Sequence, residues 1–413
     1  MSVSWLFLAV TVVGAAFTWN AYFPRLRQGL LSVPSFFAGW LTSELAAHHF
    51  AWQLVATVVF VSAGALSAWP GWVGLGITVG SWAALLALVP VSAGSAPIVE
   101  AALCEGLGDD YAGDRYGTPR PESLAQLAIP VLLHDRDVQV VRNVRYAAGA
   151  GRRHLLDIYK PHREVRDAPV LLQIHGGGWV IGHKRQQALP LMNHLAAHGW
   201  VCVAANYRLS PKATFPDHLI DLKLALRWIR ENIAAHGGDP GFVVATGGSA
   251  GGHLSSLVAL TANDPEYQIG FEGVDTSLQG CVPFYGIYDF GNRFGHHHFD
   301  GFEQFVGRVV LKKRFADDPE AFHKASPVSR ANSDAPPFFV IHGSHDSLAP
   351  VDEARAFVAH LREVSKQPVV YAEIPGAQHA FEVFHSLRTR HVVAGVDRFL
   401  EHIHARYRAQ AGS

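Results

Sequence analysis

The chain has 413 residues, with 34 Lys and Arg against 35 Asp and Glu for a net charge of −1. That balance argues against a nucleic-acid partner, so none is expected. Three cysteines, Cys104, Cys202 and Cys281, exclude a disulfide framework and agree with a reducing compartment, and the length suits one large domain plus a smaller, separate region.

The smaller region comes first. Val3 to Trp19, Ala51 to Trp69 and Gly71 to Val91 contain no charged residue, and each is about as long as a bilayer-spanning helix requires. Trp5, Trp19, Tyr22, Trp52, Trp69 and Trp72 fall near segment ends, where amphipathic rings favour the membrane interface. Pro70-Gly71 suits a tight re-entry hairpin, and the less apolar Pro34 to His49 suits an interfacial helix. No basic residue precedes the first apolar run and further spans follow it, which argues against a cleaved signal. Arg25 and Arg27 follow the first span, and the positive-inside rule then puts the domain that follows three spans on the cytoplasmic side. Residues 1–95 are expected to form this membrane region. Residues 96–135, with Asp109-Asp110 and Pro119 to Pro121, read as a juxtamembrane connector to a large domain over 136–413.

In that domain Val138 to Tyr146 and His154 to Tyr159 flank Gly149-Ala150-Gly151, an antiparallel hairpin pattern. Strand-like runs at Val170 to Ile174, Trp200 to Ala205 and Val243 to Thr246 then alternate with helix-like stretches. This rhythm indicates right-handed crossovers and a parallel sheet. Leu219, Leu222, Leu226 and Ile229 recur at helical spacing, so the helix over Phe215 to Ala235 lays one face on the sheet. Asp217 and Asp221 in it are read as a first-turn acid favoured by the helix dipole and a polar helix face.

The most informative motif is Gly247-Gly248-Ser249-Ala250-Gly251, between the strand at Val243 and the apolar helix-like Leu254 to Thr261. It has the form of a nucleophile elbow, a turn so tight that small residues must flank the serine. Upstream, the strand ending at Ile174 runs into His175-Gly176-Gly177-Gly178-Trp179. Acyl transfer needs two backbone N–H groups aimed at the developing oxyanion. Ala250 is expected to give one, and Gly176 and Gly177 the other. A general base must follow in the order serine, acid, histidine. Asp346, after the strand Phe338 to Ile341, and His379, after Val369 to Ile374, fit that order. Asp289, after Val282 to Tyr288, is the rival acid; His342, His345 and His385 are rival histidines among 24. Phe290 to Ala325 interrupts the rhythm and is expected to form a small cap. His296-His297-His298 is read as a polar loop rather than a metal site, since sequence neighbours rarely converge on one ion. Phe299, Phe302 and Phe305 either line the pocket or fill the cap core.

His175-Gly-Gly-Gly-Trp, Asn206-Tyr207-Arg208-Leu209-Ser210-Pro211, Phe215-Pro216-Asp217, Gly237-Gly238-Asp239-Pro240 and Gly247-Gly-Ser-Ala-Gly-Gly252 resemble the motifs of hormone-sensitive-lipase-type esterases and the neighbouring esterase/lipase group. The resemblance covers roughly residues 140 to 405. It implies an α/β-hydrolase fold, a mostly parallel sheet with helices on both faces, here preceded by transmembrane helices. It also implies carboxylic ester hydrolysis with no metal or organic cofactor. One departure stands out: many relatives carry an acid just before the nucleophile, whereas this chain has Gly248.

The expected protein is a membrane-anchored serine carboxylesterase or lipase acting on small-molecule or lipid esters. Ser249 attacks, His379 oriented by Asp346 shuttles the proton, and Gly176, Gly177 and Ala250 hold the oxyanion. A methylesterase or amide hydrolase would use the same machinery. A hydrolase fold reused as a non-catalytic ligand-binding module is disfavoured because serine, acid and histidine are all present.

Overall fold

A computed structural model of the chain describes residues 2–26, 29–108, 111, 124–297 and 300–411. Arg27, Asp109-Asp110, Pro119 to Pro121, His298 and Phe299 lie outside the described residues.

Eight short apolar runs become strands: β1 (Val138–Arg145), β2 (Leu155–Pro161), β3 (Ala168–Ile174), β4 (Val201–Ala205), β5 (Gly238–Gly248), β6 (Gly280–Phe284), β7 (Phe338–Gly343) and β8 (Val369–Ile374). They form one sheet in the order β1-β2-β4-β3-β5-β6-β7-β8. The β1–β2 and β2–β4 pairings are antiparallel and the rest are parallel. Every residue of β4, β6 and β7 is buried, as expected of parallel strands covered on both faces. The register aligns Ile174 with Gly247 and Gly343 with Ile374. The loops leaving β3, β5, β7 and β8 therefore open on one edge, where ligands bind in open parallel sheets.

The amino-terminal region forms α1 (Val3–Tyr22), α2 (Ser32–Glu44), α3 (Ala46–Ser62), α4 (Trp69–Ala93) and α5 (Ser95–Leu107). Two stretches, Val3–Tyr22 and Trp69–Leu107, are long and apolar enough to cross a membrane. The α2–α3 pair, bent by 92°, makes a third if counted as one span. Val13, Phe17, Val55, Val59, Trp72 and Val79 are exposed on these helices, while a polar seam faces inward. Thr18 and Ser81 hydroxyls are 2.8 Å apart, and Ser81 donates to Gln53. Small residues admit close approach; a Cβ on Gly74 would stand 3.3 Å from Leu8 Cα.

The chain reverses before Pro70, not at it. Gly64 takes a left-handed φ of 88°, a short 3-10 turn spans Ala65–Ser67, and Pro70 sits in the first turn of α4. Proline is favoured there because its missing N–H would have no helical partner anyway. Pro34 to His49 is likewise two helices, broken at Leu45, instead of one interfacial helix. Residues 95–107 are also more than a connector. A Cβ on Gly106 would stand 2.7 Å from Val370, and Val99 and Leu103 are fully buried, so α5 packs on β8.

The domain's remaining helices are α6 (Leu124–Ala128), α7 (Leu189–Ala197), α8 (Asp217–Asn232), α9 (Ala250–Leu260), α10 (Asp300–Phe305), α11 (Pro319–Lys324), α12 (Pro327–Arg330), α13 (Val351–Val364) and α14 (Leu387–Ala411). Leu219, Leu222, Leu226 and Ile229 of α8 are all fully buried. Asp221 departs from its reading as part of a polar face. It is fully buried, with Arg208 Nη2 at 2.8 Å and His154 Nε2 at 3.0 Å. It ties the loop after β4 to α8, a task legible only once the three residues meet.

Candidate active site

Ser249 joins β5 to α9 with φ 61° and ψ −123°, a conformation L-residues rarely adopt. Such strain persists only where the surroundings over-determine it. Here the Ser249 N–H donates to Phe284 O at 3.0 Å. A Cβ on Gly247 would stand 2.5 Å from Ile174 O, and one on Gly252 2.8 Å from Phe284 O. Glycine is thus a steric requirement of the elbow.

The loop after β3 lies against this turn, since a Cβ on Gly176 would stand 2.5 Å from Gly248 O. Gly177 and Gly178 have φ of 108° and 57°. Among the described residues, no acceptor takes the N–H of Gly177 or Ala250. Gly176 differs from its expected role: its N–H is already donated to Gln187 Oε1 at 2.5 Å. A side chain in the following loop competes for that donor, and nothing in the glycine run foretold it. His175 Nδ1 donates to Gly176 O at 2.7 Å, and its ring stacks on Tyr207. Burial lowers its pKa to about 4, so it is a neutral prop for the loop.

On the far side of the same edge, His379 Nδ1 is 2.7 Å from Asp346 Oδ2. Asp346 Oδ1 accepts the N–H groups of Leu348 and Ala349, each at 2.8 Å. Burial alone would raise this carboxyl's pKa, but His379 and His342 outweigh it and hold it well below the usual range. Gln378 Oε1 accepts the N–H groups of Ser347 and His379 at 2.8 and 3.0 Å, fastening the acid loop to the histidine loop. Tyr285 touches both halves of the site. Its ring centroid is 4.5 Å from that of His379, and it abuts Gly248. Its hydroxyl donates to buried Glu382, whose pKa burial pushes up to about 7.

The rivals are engaged elsewhere. Asp289 Oδ2 accepts the N–H of Phe294 at 3.2 Å, and burial and then Glu353 raise its pKa. His345 Nδ1 donates to Ala21 O, His342 sits behind Asp346 at 3.4 Å, and the main-chain N–H of His385 donates to Pro130 O. His297 meets Glu353 at 2.8 Å instead of turning toward His296. Phe302 stacks on His297, whereas Phe305 lies 3.8 Å from the Cβ position of Gly178. One ring thus fills the insertion and the other reaches the glycine loop.

A further wall comes from the amino-terminal region. Phe36 of α2 meets the His379 ring edge-on at 6.1 Å and stacks on Trp40, whose Nε1 donates to Ala380 O at 2.8 Å. One turn on, fully buried Arg388 pairs with Glu44 at 2.8 Å. Gln187, Tyr285, Glu382, Phe36 and Trp40 carry no local signal, because each acts through a partner distant in the chain.

Residues 156–361 match the family model described as BD-FAE. The chain is 43% identical over 412 residues to the probable carboxylic ester hydrolase LipM of Mycobacterium tuberculosis, covering 96% of this chain and 93% of that one. It is 39% identical over 378 residues to esterase LipQ of the same organism, covering 89% and 84% respectively. Among solved structures, the butyrate-bound esterase Est2 of Thermogutta terrifontis superposes with a TM-score of 0.55 at 24% identity, over 65% of this chain and 95% of that one. That likeness shows the α/β-hydrolase fold. With near-complete coverage of its mycobacterial relatives and the sheet order above, the chain belongs to the hormone-sensitive-lipase-like, BD-FAE-type family of serine carboxylic ester hydrolases.

Proposed function

We propose that the protein is a membrane-anchored carboxylesterase in which Ser249, His379 and Asp346 form the catalytic triad. The observation that carries this reading is the 2.7 Å Asp346–His379 bond, linked through Tyr285 to the elbow that presents Ser249. His379 takes the Ser249 proton as Oγ bonds to the ester carbonyl carbon, and then protonates the departing alcohol. Water attacks the acyl-enzyme with His379 again as base, which releases the acid and restores the serine. Asp346 stays ionised, fixes the imidazole tautomer and stabilises the imidazolium. Gly177 and Ala250 offer the oxyanion their free N–H groups; Gly176 adds a third only when Gln187 turns away.

The helices α1, α3 and α4 anchor the enzyme in the bilayer, and Arg25 favours a cytoplasmic catalytic domain. The α2 helix stays against the domain while α3 turns away by 92°. Phe36 and Trp40 thus stand between the apolar helices and His379, which supports lipophilic esters that reach the site from the membrane side. Ser249→Ala in the full-length protein tests the triad: a fluorophosphonate probe is expected to label the parent and not the variant, and equal labelling overturns the assignment. Esters of increasing acyl length test the substrate class. Activity confined to acetyl esters of soluble alcohols overturns it.

A further inference from the structure

Away from Ser249, α7 and α14 place side chains together that the ester chemistry does not use. His194 lies in the last turn of α7 and His198, four residues on, caps that helix, with ring centroids 4.3 Å apart. Asp397 comes from α14, 203 positions from His194 in the chain, with its Oδ2 2.8 Å from His194 Nε2. One ligand atom from each of the three lies within 4.8 Å of the others.

Two further observations point to a ligand and not merely an ion pair. His198 Nδ1 donates to the His194 carbonyl at 2.7 Å, which leaves Nε2 with the lone pair; ligating histidines are held by such a bond. Asp397 Oδ1 is buried and, among the described residues, has no hydrogen-bond partner. The cluster also has an entry path. His194 and His198 line an open groove of about 550 Å³ whose rim includes His134, Asp135 and His385.

We propose that His194, His198 and Asp397 bind a divalent zinc ion that clamps α7 to α14. Two imidazoles and a carboxylate are a zinc-type donor set, and an i, i+4 histidine pair puts both rings on one helix face. Around tetrahedral zinc with bonds of about 2.0–2.1 Å, donor atoms stand about 3.3 Å apart. A small rotation of exposed His198 therefore closes the cluster, and water or Glu401, one turn beyond Asp397, completes the shell. Binding needs the His194 Nε2 lone pair, so the proton that Nε2 holds toward Asp397 moves to Nδ1 as the ring changes tautomer, and the cation takes its place between the two groups. The clamp joins the helix that follows Gln187 to the helix that follows the His379 loop, so it fixes both flanks of the site without entering the reaction.

Zinc titration of the full-length protein in detergent, against a chromogenic chelator, tests the proposal. The parent is expected to take up one equivalent with micromolar or tighter affinity. His198→Ala and Asp397→Asn should each bind at least tenfold more weakly, and His296→Ala as tightly as the parent. Melting in EDTA checks that all variants are folded, and added zinc should raise the midpoint of the parent and His296→Ala only. An anomalous zinc peak between the two rings would support the site directly. Equal binding by parent, His198→Ala and Asp397→Asn, or no uptake below millimolar zinc, overturns it.

Discussion

Tyr285 occupies the space that a side chain at position 248 would need. A Cβ built on Gly248 falls inside contact distance of the phenol oxygen and 2.8 Å from two of its ring carbons. The acid that many relatives carry before the nucleophile is thus sterically excluded. A carboxyl instead reaches the same neighbourhood from Glu382, bound to the Tyr285 hydroxyl. Gly248→Ala is expected to lower stability by about 1–3 kcal/mol through overpacking, read as a reduced melting midpoint. Adding Tyr285→Phe, which removes the nearest atom, should recover part of that loss. An unchanged midpoint in Gly248→Ala would contradict the contact.

Glu382 makes stability depend on pH. Its folded pKa is raised to about 7, with burial as the main cause, above an unfolded value of about 4.3. The stabilisation of its neutral form is complete below the unfolded value and is lost as pH rises through about 7. Glu382→Gln keeps a neutral side chain throughout. Relative to this variant, the parent should lose stability from pH about 4 to 7 and level off above that, with a slope of at most about 1.4 kcal/mol per pH unit. Parallel melting curves for the two proteins across that range would refute this account.

Asp346 is held ionised by two histidines and two main-chain donors. Asp346→Asn preserves the shape but offers His379 the wrong hydrogen-bond partner. A fall in kcat on the order of 10⁴-fold with little change in KM is expected for a soluble ester. Asp289→Asn should change kcat by less than about tenfold, because Asp289 bonds to Phe294 and not to His379. The reverse ranking would reassign the acid.

The Glu44–Arg388 pair holds α2 on the catalytic domain, and both side chains are fully buried. Arg388→Met strands a buried carboxylate and should cost about 3–5 kcal/mol, whereas the double change with Glu44→Met should recover most of it. Phe36→Ala leaves this pair intact and removes the ring that meets His379. It should impair hydrolysis of long-chain esters more than of acetate, seen as a larger drop in kcat/KM for the longer acyl group.

Motifs that impose a local backbone condition were readable in the chain. The elbow glycines are required because a Cβ there would meet its neighbours at 2.8 Å or less, and Gly177 and Gly178 by left-handed φ values, so they leave a mark in adjacent residues. The apolar stretches are equally legible, because a helix long and apolar enough to cross a membrane is a continuous run of uncharged side chains. Spacing could order Asp346 and His379 along the polypeptide, but their 2.7 Å contact depends on β7 and β8 lying side by side. The commitment of Gly176 to Gln187, the burial of Asp221 with Arg208, and the seating of Phe36 on His379 were decided only by packing. So was the meeting of His194 with Asp397. Each joins residues from separate elements, and a contact made by chain folding has no counterpart in the order of neighbouring letters.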